Sequence, residues 1–150
     1  MRSTIARSAC AAILLVGLLA GPVLGGRPDR AFGGEIPDFD LPDVCAFPLT
    51  IHIVVNNEYV TTFFDEDGNP ESQLLQGRLI AEVIRSDTGD SVVLNASGPA
   101  RIDAATGDFT GYGHFLQWGD GINGLLLFRG QHDFDGNGQG SALDVCALLE

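Results

Sequence analysis

Turn signals cut this chain into short pieces, and from Asp43 onward that punctuation limits what it can fold into. Asp65-Glu66-Asp67-Gly68-Asn69-Pro70, Asp87-Thr88-Gly89-Asp90, Ser97-Gly98-Pro99, Ala105-Thr106-Gly107-Asp108 and Gly119-Asp120-Gly121 are all turn clusters. Between them lie β-prone runs. Leu49, Ile51, Ile53 and Val55 alternate with Thr50, His52 and Asn56, the period-2 pattern of a half-buried strand. Tyr59 to Phe64 is β-branched and aromatic. Leu74 to Arg85 reads as one longer strand, with helix as its competitor, and Gly77 decides for the strand. Val92 to Leu94, Ala100 to Ile102, Phe109 to Trp118, Leu125 to Phe128 and Leu143 to Leu149 complete the set. The expectation is an all-β domain of about eight strands with hairpin connections. A closed, mostly up-and-down barrel would remove exposed edges. A two-sheet sandwich is the alternative.

The first 25 residues have another logic. Arg2 and Arg7 precede an apolar run from Ala9 to Ala20, and Val23 and Gly25 supply the small residues a signal peptidase accepts. The run is shorter than the roughly 20 residues of a spanning helix. Residues 1–25 therefore read as a secretory signal peptide cut after Gly25, with Ala20 as the alternative, and the mature protein as extracellular, without membrane insertion. Gly26 to Pro42, rich in Gly, Pro and Asp, reads as an extended leader or linker before a domain spanning residues 43–150.

After cleavage six arginines and no lysine face 20 acids, a net charge of −14. That balance repels nucleic acid and anionic lipid, so neither is expected as a partner. Two cysteines remain, Cys45 and Cys146, and an exported location allows them to bridge. The bridge would close 101 residues, worth at most about 4–5 kcal/mol in the chain-entropy picture.

Two local patterns are candidates for function. Asp133, Asp135, Asn137 and Asp144 stand at positions 1, 3, 5 and 12 of a calcium-type loop, with Gly138 at position 6. The stretch resembles an EF-hand-type or dockerin-type loop, but Gly140 replaces its apolar residue and Asp144 its Glu. A hairpin turn uses the same residue types for backbone reasons. No other cofactor is implied. The second pattern is Tyr112, His114 and Trp118, which share one strand face and could line a ligand pocket with a titrating group. No Gly-x-Ser-x-Gly elbow and no zinc-type Cys/His pairing occurs. Catalytic residues are not nominated.

Cys45-Ala46-Phe47-Pro48-Leu49, Asn95-Ala96-Ser97-Gly98-Pro99 and Asp144-Val145-Cys146-Ala147-Leu148-Leu149, together with the signal peptide, resemble small secreted actinobacterial β-domain proteins of unknown function. The resemblance implies a fold and a compartment, not an activity. The first functional expectation is a non-catalytic secreted binding or interaction domain for a small apolar ligand or a protein partner. A small barrel-type hydrolase or isomerase, and a calcium-stabilised structural or cell-surface module, are the alternatives.

Overall fold

The computed structural model describes residues 26–119 and 121–150, so the stretch read as a signal peptide lies outside the described residues. Eleven strands form: β1 Asp29–Phe32, β2 Phe39–Leu41, β3 Leu49–Asn56, β4 Tyr59–Phe64, β5 Pro70–Gln76, β6 Leu79–Arg85, β7 Ser91–Asn95, β8 Ala100–Asp103, β9 Phe109–Gly119, β10 Ile122–His132 and β11 Gly138–Asp144. Every pairing is antiparallel, and no helix occurs among the described residues.

The barrel expectation is corrected. The strands form two open sheets, one of seven in the order β1-β4-β5-β8-β9-β10-β11 and one of four in the order β2-β3-β6-β7. Four successive stretches of chain each run from one sheet into the other: β1 into β2, β3 into β4, β5 into β6, and β7 into β8. Strands that switch sheets make corners. Leu74 to Arg85 is accordingly two strands and not one, because Gly77 turns the chain. Its φ is +153°, and a Cβ there would lie 2.5 Å from Glu58 Cα. Hydrogen bonds stitch the crossings together. The Asn57 N–H donates to the Arg78 carbonyl (2.8 Å), that of Gly33 to Glu58 (2.8 Å) and that of Ala96 to Leu79 (3.0 Å). Burial at this corner raises the Glu58 carboxyl above its ordinary pKa.

The leader belongs to the domain. It supplies an edge strand to each sheet, β1 beside β4 and β2 beside β3. The chain's last apolar stretch also divides: β11 ends at Asp144, and Val145–Leu149 curl into turns closed by N–H bonds from Leu148 to Val145 and from Leu149 to Cys146.

One core joins the sheets as a sandwich. Leu49, Ile51, Ala81, Val83 and Leu94 from the smaller sheet meet Leu125, Leu127 and, just past β11, Val145. Trp118 packs against this cluster, its ring 5.6 Å from that of Phe39. Cys45 and Cys146 form the expected disulfide, with Cα atoms 5.7 Å apart. Arg85 completes this end, lying 4.1 Å over the Phe47 ring and donating to the Leu149 carbonyl at 3.0 Å.

Candidate functional site in the bent hairpin

β9 and β10 are the longest strands, 11 residues each, and they do not run straight. Phe109 and Phe115 are six residues apart on β9, which in an extended strand is about 20 Å. Their ring centroids are 5.5 Å apart. The ladder contains the cause. Gly113 pairs with Gly130, and Gly130 pairs with Gly140. Gly113 and Gly130 have φ of +132° and +110°, a region that L side chains rarely adopt. The three-stranded ribbon folds over along this glycine line. Its tip returns across the sheet, where the Gln117 side-chain amide donates to the Asp133 carbonyl at 3.1 Å.

Aromatic side chains fill the inside of the fold. His132 lies 5.2 Å from Phe115 and 6.1 Å from Phe109, and it stacks on Phe128 at 5.3 Å with a 21° angle between planes. Phe134, on the hairpin tip, stacks on Phe109 at 4.4 Å while remaining largely exposed. His132 is only 3 % exposed. Its Nδ1–H donates to the Gly130 carbonyl at 3.2 Å, which in the neutral ring leaves the lone pair on Nε2. That Nε2 is buried with no hydrogen-bond partner among the described residues. Desolvation therefore holds the imidazole below its ordinary pKa, against a smaller opposing effect of the Gly130 bond. The ring fits because β9 carries no side chain at Gly111, where a Cβ would lie 2.7 Å from both His132 Cε1 and Nε2.

The loop at the tip is a turn built on Asp133. The Asp133 carboxylate accepts the N–H groups of Asp135 (3.0 Å) and Asn137 (2.8 Å), and the Asp133 N–H donates to the Asn137 carbonyl at 2.9 Å. The Asn137 backbone bond is the largest influence holding that carboxyl below its usual range. Asp65-Glu66-Asp67-Gly68-Asn69 repeats the pattern between β4 and β5, with the Asp65 carboxylate accepting from Asp67 (3.0 Å) and Asn69 (2.7 Å). The twelve-residue calcium loop is not needed to explain these residues: the Asp133 carboxylate is occupied by the N–H groups of its own turn, and the Asp144 carboxylate accepts the N–H of Ala147 at 3.2 Å. Among the described residues no group of three or more His, Cys, Asp or Glu side chains is placed to hold a metal ion.

The Tyr112, His114 and Trp118 face does not gather into a pocket either. Trp118 is committed to the sandwich core, His114 is half-buried opposite Arg129, and Tyr112 is 45 % exposed. The residue missed is His132. Its signal was present: a histidine at a strand–turn junction, in step with Phe128 on an alternating strand and followed by Phe134.

A cleft of about 230 Å³ opens beside the aromatic cluster along β11. Phe128 and His132 line it with Gly136, Gly138, Gly140 and Ala142, and Arg129, Gln131 and Ser141 supply its polar groups. Two other depressions, of about 280 and 500 Å³, lie against Phe63 and Arg101 and beneath the leader at Phe32 and Ile36.

No protein-family model, no curated protein and no solved structure matches this chain.

Proposed function

We propose that this chain matures into an exported, non-catalytic binding module that takes an apolar group into the cleft of the bent hairpin. One observation carries the reading: a cleft bordered by Phe128, His132 and the glycines of β11, with Arg129, Gln131 and Ser141 as its polar lining, opens at a sheet edge. Apolar walls with a few polar groups are the usual composition of a binding site. At about 230 Å³ the cleft lies below the range of sites for drug-sized ligands, so it suits a fragment or one side chain. Export is supported by the signal-peptide pattern and by a disulfide that closes the domain. The resemblance to small secreted actinobacterial β-domain proteins fits the same compartment.

Phenol serves as a probe. Titrated into the ¹⁵N-labelled mature protein, it should shift the amides of Phe128, His132, Gly138 and Gly140 saturably. Ala142→Trp, which fills the cleft from an exposed position, should abolish those shifts and leave the rest of the spectrum in place. Shifts scattered over the surface, or unchanged in the Trp variant, contradict the proposal.

A further inference from the structure

The seven-stranded sheet ends at β11, and its outer backbone is open. All of Gly138 to Ala142, and Asp144, are exposed. Natural sheets protect such edges with charge, proline or shortness. The other edges follow that rule. β1 has four residues, preceded by Pro28 and carrying Asp29 and Arg30, and β2 has three between Pro37 and Pro42. β7 is uncharged but has only five residues, and none of them lines a described cleft. β11 has seven residues, and its first six, Gly138-Gln139-Gly140-Ser141-Ala142-Leu143, carry no charge. It is the least protected edge among the described strands.

We infer that β11 accepts an extended segment of a partner protein as an additional strand, with one apolar side chain of that segment seated in the cleft and basic residues at its two ends. The inference rests on the cleft as the binding site and specifies its occupant. An added strand lies about 4.8 Å from β11 and presents every second side chain to one face. Gly138, Gly140 and Ala142 are spaced by two and line the cleft. A neighbouring strand in register therefore places alternate side chains over it, and the cleft of about 230 Å³ has room for one of them. Main-chain bonds would supply affinity and the cleft specificity, as in other strand-addition sites. Charge selects the flanks and not the cleft, which Arg129 borders: Asp133 and Asp135 precede the strand and Asp144 ends it, in a mature chain of net charge −14. A basic segment is attracted there, and an acidic one is repelled.

The probe is a synthetic nine-residue peptide of alternating Thr and Val with a central Phe and Arg at both ends. It should bind the mature protein saturably and slow hydrogen exchange of alternate β11 amides, and N-methylation along one of its edges should remove binding. Glu in place of both Arg should weaken binding by about tenfold at low salt, the combined scale of a few exposed charge pairs. Ala142→Trp should weaken it, and should not alter the melting temperature. A peptide that does not bind while phenol still occupies the cleft overturns strand addition and leaves the cleft reading standing. Failure of both ligands overturns both. Equal affinity for Arg-ended and Glu-ended peptides, or binding without protection of β11, also overturns the inference.

Discussion

The two ends of the seven-stranded sheet's longest ribbon are held by opposite means. Where β9, β10 and β11 meet the smaller sheet, side chains do the holding: Leu125, Leu127 and Val145 interdigitate with Leu49, Ile51 and Val83, and the Cys45–Cys146 bond locks the corner. Where the same ribbon folds over, missing side chains decide the shape. Gly113 and Gly130 allow the bend, and Gly111 makes room for His132. The first arrangement gives stability through burial and cross-linking. The second leaves a buried polar atom without a partner among the described residues, an exposed aromatic at the tip and a bare edge strand. The proposed binding surface lies where packing is least complete.

The sharpest way to separate the two ends is to weaken each in turn. Replacing Cys45 and Cys146 together with Ala should have the largest effect, lowering the free energy of unfolding by up to about 4–5 kcal/mol, as read by urea denaturation. Gly111→Ala comes next. Its methyl group must displace His132, at a cost of about 1–3 kcal/mol for overpacking. That cost should shrink when His132→Ala is added, since residues in contact are not additive. Equal costs in the single and combined backgrounds would show that the imidazole does not occupy this space.

Acid should act in opposite senses on the hairpin end and on the leader. Burial depresses the His132 pKa below its ordinary 6.5, so the stability of the neutral form is present above that value and is lost as pH falls through the folded pKa. Asp133 is the charged group that opposes this shift, and only weakly. His52 behaves oppositely. Its Nδ1 bond to Asp38 at 2.8 Å raises its pKa, giving stability that is full below 6.5 and lost as pH rises through the folded value. Relative to the parent, His132→Phe should therefore gain melting temperature on going from pH 7 to pH 5, and His52→Ala should lose it. The smallest expected difference is between the twin turns. Asp133→Ala and Asp65→Ala each remove a carboxylate that organises five residues, but only the first should alter the environment of Phe134 and Phe109 by near-ultraviolet circular dichroism.

Much of the fold was legible because turn residues and period-2 alternation are local signals. The disulfide was too, from cysteine number and compartment. The sheet switches were not. Gly77 reads as one weak point in a continuous apolar run, and only the approach of Asn57 and Glu58 makes it a corner. Barrel closure was expected from the hairpin order, but the order of neighbours does not reveal where a strand bends. At the site, Asp133 to Gly138 matched a cation loop because turns and calcium loops draw on the same residues. What the Asp133 carboxylate binds, the backbone N–H groups of its own turn, favours the turn. His132 was visible as a residue but not as a site, since its burial depends on glycines 19 and 21 positions earlier in the chain, at Gly113 and Gly111.

The bend along Gly113, Gly130 and Gly140 supports everything assigned to the hairpin end, and proton NMR reports on it directly. Nuclear Overhauser effects should connect the ring protons of Phe109 with those of Phe115, whose centroids lie 5.5 Å apart, and the Phe128 ring with the Gly136 Hα protons. A straight ribbon would hold the two rings of the first pair about 20 Å apart. Full assignment with neither connection present would contradict the bend, and with it the aromatic enclosure of His132 and the cleft beside it.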